Sequence, residues 1–214
     1  MYSLKKKIII ATTLLFIFVL MSIPAAFAQP TPSVEVDPAI STINIGDELN
    51  VTITINDLPS PGIYSYQLKL YFNTTLLNVT NAGMPTGHFL SPSNPSKIFI
   101  VDNGVVDTTQ GYVSFAATML NPELPKNGSG VLCKITFQGV AQGVSYLNLT
   151  RTALKLVDPT AKELPKSSYI VTDGQVTVIP ELSVTLMALL FLVATAAVVA
   201  LRHKIAPAIR KSVV

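Results

Sequence analysis

The stretch Leu49-Asn50-Val51-Thr52-Ile53-Thr54-Ile55-Asn56 decides how this chain is read. Leu49, Val51, Ile53 and Ile55 fall on one face of an extended strand, while Asn50, Thr52, Thr54 and Asn56 fall on the other. Successive side chains of a strand point to opposite faces, so this period of two describes one apolar and one polar surface. Outward from it the pattern repeats in Tyr64, Tyr66, Leu68, Leu70 and Phe72, in Val113, Phe115 and Ala117, and in Val131, Cys133, Ile135 and Phe137. Cys133, the one cysteine of the chain, is therefore expected to point inward as a small apolar residue. A single cysteine also excludes an internal disulfide.

Turn residues punctuate these runs at Pro59-Ser60-Pro61-Gly62, Asn103-Gly104, Asn127-Gly128, Gln142-Gly143 and Asp173-Gly174. Asn103-Gly104 reads as a hairpin, because a type I′ turn needs positive φ at both central positions. About nine strands are expected, near 34–36, 43–45, 49–56, 63–72, 76–79, 97–102, 112–118, 130–139 and 144–149, with further extended pieces at 153–157 and 169–178. Short antiparallel strands of this kind must stack as two sheets to bury their inner faces. The expected fold is all-β, a nine-stranded antiparallel jelly-roll sandwich followed by a C-terminal transmembrane helix. Residues 81–96, rich in Gly, Pro and Ser, are the longest irregular stretch.

Both ends of the 214-residue chain read as membrane-directed. Lys5–Lys7, the apolar run 8–23 and Ala26-Phe27-Ala28 make residues 1–28 a secretory signal peptide, cut between Ala28 and Gln29. Residues 29–179 form the ectodomain and 180–201 the membrane segment, of which 182–201 carry no charge. Twenty such residues in a helix span about 30 Å, the thickness of a bilayer's hydrocarbon core. Arg202, Lys204, Arg210 and Lys211 make 202–214 a basic tail, which the positive-inside rule places in the cytoplasm. The expected protein is a single-pass membrane protein with its domain outside. Its net charge of +3 comes from those ends: between them lie 8 basic and 11 acidic residues, so the domain carries 8 − 11 = −3. No basic surface remains for nucleic acid.

Five Asn-x-Ser/Thr sequons, at Asn50, Asn73, Asn78, Asn127 and Asn148, suit an exported glycoprotein. Catalytic patterns are missing: there is no Gly-x-Ser-x-Gly, no Gly-x-x-x-x-Gly-Lys and no His-Glu-x-x-His. His88, in a loop beside Ser91, is expected to be solvated. Glu35, Asp37, Asp47 and Glu48 lie near turns, where acids serve the local backbone. Asp102 and Asp107 flank Asn103-Gly104 without the dense oxygen set that calcium needs. No enzyme, metal or cofactor is expected. With no Trp, a sugar platform would fall to tyrosines, and alternation sets Tyr71 opposite to Tyr64 and Tyr66. Tyr71 and Tyr112 are the candidate platform.

Several strings resemble the cohesin domain family in order. Val34-Glu35-Val36-Asp37-Pro38 and then Ile45-Gly46-Asp47-Glu48-Leu49-Asn50-Val51-Thr52-Ile53 look like its two opening strands. Tyr66–Asn73 followed by Leu76-Leu77-Asn78-Val79 looks like its apolar strand, turn and Leu-x-Val strand, although Phe72-Asn73-Thr74 departs from Tyr-Asp-Pro. Gly130–Phe137 resembles its Gly-x-Leu-x-x-Ile-x-Phe strand, and Asp173-Gly174-Gln175-Val176-Thr177-Val178 its closing strand. The resemblance implies a non-catalytic module that binds a protein partner carrying dockerin-like repeats or a surface-layer component. This chain has no dockerin-like loop of its own and would be the receptor. Polysaccharide binding and a structural envelope role are the alternatives. Pro180-Glu181-Leu182 before the apolar run resembles the Pro-Glu-Phe sorting signals of archaeal surface proteins, which implies processing by a membrane transpeptidase. The other reading of that segment is a plain anchor.

Overall fold

A computed structural model describes residues 30–150, 152–181 and 187–199. Its strands are β1 (Ser33–Asp37), β2 (Ile40–Asn44), β3 (Glu48–Ile63), β4 (Ser65–Tyr71), β5 (Leu77–Gly83), β6 (Ile98–Asp107), β7 (Tyr112–Met119), β8 (Lys126–Gly139), β9 (Gly143–Leu149), β10 (Lys155–Val157), β11 (Ile170–Thr172) and β12 (Gly174–Ile179). One sheet has five strands in the order β11-β1-β3-β8-β5. The other runs β2-β12-β9-β4-β7-β6, with β10 paired to β4 as its seventh strand. The core between them includes Val51, Ile53, Ile55, Leu68, Leu70, Phe115 and Phe137, each fully buried, so the period of two is obeyed where it was strongest.

The expected nine strands become twelve. The extra three are β10 and the two halves of 169–178, which split at Asp173 because each half joins a different sheet. At that crossing the Asp173 carboxylate accepts a hydrogen bond from the Leu149 amide at 2.7 Å. Gly174 is required there: a Cβ would stand 2.6 Å from Val36 Cγ1. The opening strands β1 and β2 also switch sheets, so first and last strands lie side by side in both. These pairs, β1 with β11 and β2 with β12, are parallel, which corrects the wholly antiparallel expectation. Alternation reports which face a residue takes, not the direction of its neighbour.

Three turn expectations are also corrected. Pro59–Gly62 lies inside β3, where the ladder to β8 jumps from Leu58 to Ile63 and so demands no amide from either proline. Asn127-Gly128 lies inside β8. Asn103-Gly104 lies inside β6, and the chain reverses after it, between Asp107 and Tyr112. The positive φ that suggested a hairpin is real, +82° at Gly104, but it serves a break in register against β7. A Cβ at Gly104 would stand 2.6 Å from the Ala82 carbonyl oxygen, so β6 passes tightly against the end of β5. Asn103 Oδ1 fixes the same junction by accepting from the Met84 amide at 2.7 Å.

On β8 the expected inward set needs one change. The pairing with β3 skips Leu132, so Leu132 and Cys133 are both buried while Val131 turns outward with Thr54. The Tyr66 hydroxyl donates to the Leu132 carbonyl oxygen at 3.0 Å within the core. Burial pushes the Tyr66 phenol far above its ordinary value, so it stays a donor. Tyr66→Phe strands that carbonyl and is expected to cost about 1–3 kcal/mol, read by denaturant unfolding. Burial likewise raises the Cys133 thiol well above its usual range, as expected of an inward cysteine.

His88 departs from its expected solvated state. It is buried with Phe89 and Leu90, which plug the core from the loop after β5, and its Nδ1 has no hydrogen-bond partner. Desolvation lowers its pKa. The unfolded chain therefore binds the imidazole proton more readily, and folding stability should fall as pH drops below about 6.5, the ordinary histidine value. His88→Gln should flatten that slope in unfolding measured across pH.

The signal peptide expected over 1–28, with Ala26, Ala28 and Gln29, lies outside the described residues. Of the expected anchor, 187–199 are helical, and 182–186, 200–201 and the tail 202–214 lie outside the described residues. Among the described residues no helix is long and apolar enough to cross a membrane.

Candidate docking face

The two outer faces of the sandwich differ in chemistry. On the five-stranded sheet, β3 presents Asn50, Thr52 and Thr54, and β8 presents Lys134, Thr136 and Gln138. These polar groups bond to one another and to nearby backbone: Thr136 Oγ1 donates to Asn50 Oδ1 at 2.8 Å, and Gln138 Nε2 to the Gly46 carbonyl at 3.1 Å. Among the described residues, Ile170 is the one large apolar side chain exposed on a strand of that sheet.

The seven-stranded sheet is built otherwise. Strand register sets its outer face in rows. Asn148 of β9, Tyr71 of β4, Tyr112 of β7 and Asp107 of β6 form the first row. Lys69, Ser114 and Val105 form the second, Gln67, Ala116 and Asp102 the third, and Ser65, Thr118 and Phe99 the fourth. Phe99 is 58%, Val101 61% and Val105 53% exposed, and on β9 Tyr146 is 61% exposed. A shallow groove of about 190 Å³ runs over Gln67, Ala116 and Thr118, between Val101 and the β10 residues Lys155 and Val157. Because β6 is the edge of the sheet, its apolar run Ile98-Phe99-Ile100-Val101 has neighbours on one side only.

Tyr71 and Tyr112 lie on this face, as alternation required, and Tyr66 and Tyr169 are in the core. The two outer rings are 5.5 Å apart and tilted by 60°, so they do not form one flat shelf. Lys69 Nζ sits 3.8 Å from the centre of the Tyr112 ring. The Tyr112 side chain, reinforced by Tyr71 and Asp107, holds the Lys69 ammonium above its usual pKa. The pair is thus the aromatic corner of a mixed surface with one ring face already covered.

No reactive constellation accompanies this face. Asp102 accepts from the Ser114 hydroxyl at 3.0 Å, and Asp107 accepts from the Thr109 and Gln110 amides at 2.9 Å. Asp47 caps Asn44 in the same way, and Glu35 accepts from the Ser33 hydroxyl. Glu35, Asp47 and Asp107 thus serve neighbours close in the chain, while Asp102 reaches across to β7. Among the described residues no group of three His, Cys, Asp or Glu side chains could hold a metal ion. A second cleft of about 230 Å³, lined by Leu58, Pro59, Pro61, Leu164, Pro165 and Tyr169, is apolar.

All five sequon asparagines are exposed. Asn50 and Asn78 face out from the five-stranded sheet, and Asn127 opens β8 of that sheet. Asn73 follows β4 and folds its Oδ1 back onto Thr75. Asn148 stands in the first row of the seven-stranded face, paired with Tyr71. The stripe Phe99, Val101 and Val105 was missed in the sequence, where the run 98–101 shows no alternation. Its signal was that absence: an apolar run on an edge strand cannot bury both faces.

These features define a class, a β-sandwich recognition module. A cohesin domain model matches residues 34–179, and the chain belongs to the cohesin domain family, a family of non-catalytic protein-binding domains. No curated protein matches it. Among solved structures, the third cohesin of ScaC from Acetivibrio cellulolyticus, in complex with the ScaB dockerin, is 16% identical with a TM-score of 0.56, covering 69% of this chain and 99% of that one. The OlpA cohesin of Clostridium thermocellum, in a type I cohesin–dockerin complex, is 15% identical with a TM-score of 0.53, covering 70% and 100%. A non-cellulosomal cohesin from the hyperthermophilic archaeon Archaeoglobus fulgidus is 12% identical with a TM-score of 0.52, covering 70% and 92%. At these identities the likeness establishes the fold.

Proposed function

We propose that this protein is a surface receptor that captures a protein module of the dockerin kind on the outer face of its seven-stranded sheet. The observation that carries the reading is the asymmetry of the two faces. Exposed Phe99, Val101 and Val105 line the β6 side of one, with Tyr146 farther off on β9, and hydrogen-bonded Asn, Thr and Gln cover the other. Interfaces draw on aromatic and aliphatic anchors within a polar surround, and Lys69, Asp102 and Asp107 supply such a surround. The cohesins of ScaC and OlpA, solved with dockerins, favour a protein over a sugar as the ligand. So do the tilt of the Tyr71–Tyr112 pair and the ammonium over Tyr112, since flat exposed rings suit sugars better.

The receptor is held outside a membrane by the segment 180–201, with 202–214 inside. Support comes from the charge-free run 182–201 and the basic residues after it. In the helical part, Phe191 and Leu192 lie exposed, as side chains facing lipid would. The Pro180-Glu181-Leu182 triplet makes cleavage at this point a second fate for the anchor. Carbonate extraction of native membranes should leave the protein in the pellet, and protease added outside intact cells should remove the domain while sparing the tail. Cross-linking on intact cells should recover a partner bearing dockerin-like repeats. Recovery of polysaccharide alone would overturn the protein-docking reading.

A further inference from the structure

We propose that Asn148 is a glycan attachment site whose sugar chain covers the Tyr71–Tyr112 end of the docking face. Its consequence for binding rests on the docking reading above. The argument comes from how the fold distributes five sequons that look alike in the sequence. Asn50 and Asn78 sit on the opposite sheet's outer face, and Asn127 belongs to that sheet too. Asn73 lies in the turn after β4. Sugars at Asn50, Asn78 and Asn127 leave the seven-stranded face open, whereas Asn73, two residues past Tyr71, lies beyond the paired rows of that face.

Asn148 differs. Leu147 and Leu149 on either side of it are buried, so alternation turns Asn148 outward, and its carboxamide is exposed. It pairs directly with Tyr71, and Tyr71 pairs directly with Tyr112. Directly opposed residues hold their Cβ atoms about 5 Å apart, so a sugar on Asn148 Nδ2 starts beside the Tyr71 ring. Thr150, the third sequon residue, is also exposed. Attachment joins Asn148 Nδ2 to the anomeric carbon of an oligosaccharide carried on a lipid phosphate. The sugar–phosphate bond breaks, the lipid phosphate departs with the electron pair, and the nitrogen gives up one proton. Occupancy at Asn148 would then set how much of the Tyr71–Tyr112 end a partner can reach, while sugars at Asn50, Asn78 and Asn127 would not.

The test uses the full chain purified from the membranes of its own cells. Thr150→Ala destroys the sequon and leaves Asn148 in place, Thr150→Ser preserves the sequon, and Asn148→Gln removes the acceptor. Peptide mass spectrometry should find sugar on Asn148 in the wild type and in Thr150→Ser, and none in the other two. Hydroxyl-radical footprinting, which needs no partner, should show Tyr71 and Tyr112 shielded in the two sugar-bearing forms and reactive in the two bare forms. Thr150→Ala should also capture more partner on intact cells. Bare Asn148 in the wild type would overturn the inference, as would an occupied Asn148 with the tyrosine footprint unchanged. If removing the sugar unmasks the tyrosines yet no form captures a partner, the covering role stands and the docking reading fails.

Discussion

Phe99→Ala combined with Val101→Ala should weaken partner binding by at least about 2 kcal/mol, roughly thirtyfold, while leaving the fold intact. Both side chains are more than half exposed, so the free protein gives up little packing. Surface changes of this kind usually move stability by less than about 0.5 kcal/mol. A docked partner would bury both side chains, and their removal takes away apolar area along the β6 edge of the face. Thr136→Ala on the opposite sheet is the control and should leave binding unchanged. Titration of the cross-linked partner against the three proteins measures the difference, and thermal unfolding confirms that each is folded.

Phe137→Ala should have the largest effect on stability. Phe137 is fully buried on β8 of the five-stranded sheet, between Leu49 of β3 and Val79 of β5 in register. Its ring meets Phe72 edge to face with centroids 5.1 Å apart, which ties the two sheets together. Truncation of a buried Phe costs about 3–5 kcal/mol, from lost transfer energy and the cavity left behind. Whole domains are stable by only about 5–15 kcal/mol, so much of the margin goes. Calorimetry should place the midpoint lower by about 10 °C or more. Lys134→Ala, outward on the same strand, should change it little.

How far the fold could be read in advance depended on what each residue type reports. The run 49–56 reports facing, and its four apolar side chains turn inward or pack against the core. Asp173-Gly174 reports a chain that must turn sharply, and the crossing between sheets falls there. Positive φ at Gly104 was legible, but a glycine in that conformation serves a hairpin turn or a bulge, and Asn103 lacks the second positive φ that the hairpin needs. Leu132 could not be placed, because a bulge is a property of two strands and alternation describes one. His88 is polar by type, and its burial follows from Phe89 and Leu90 drawing their loop into the core. The docking face was half legible: Tyr71 and Tyr112 came from alternation, whereas Phe99, Val101 and Val105 needed the knowledge that β6 is an edge. The parallel terminal pairs left no local trace, since they join residues more than a hundred positions apart.

The most direct test of the central claim places a photo-reactive amino acid at position 101 in one protein and at position 136 in another, each expressed on intact cells. Irradiation should yield a covalent adduct with a dockerin-bearing protein from position 101 and none from position 136. An adduct from position 136 with none from position 101 would show that the partner docks on the polar sheet and would contradict the account.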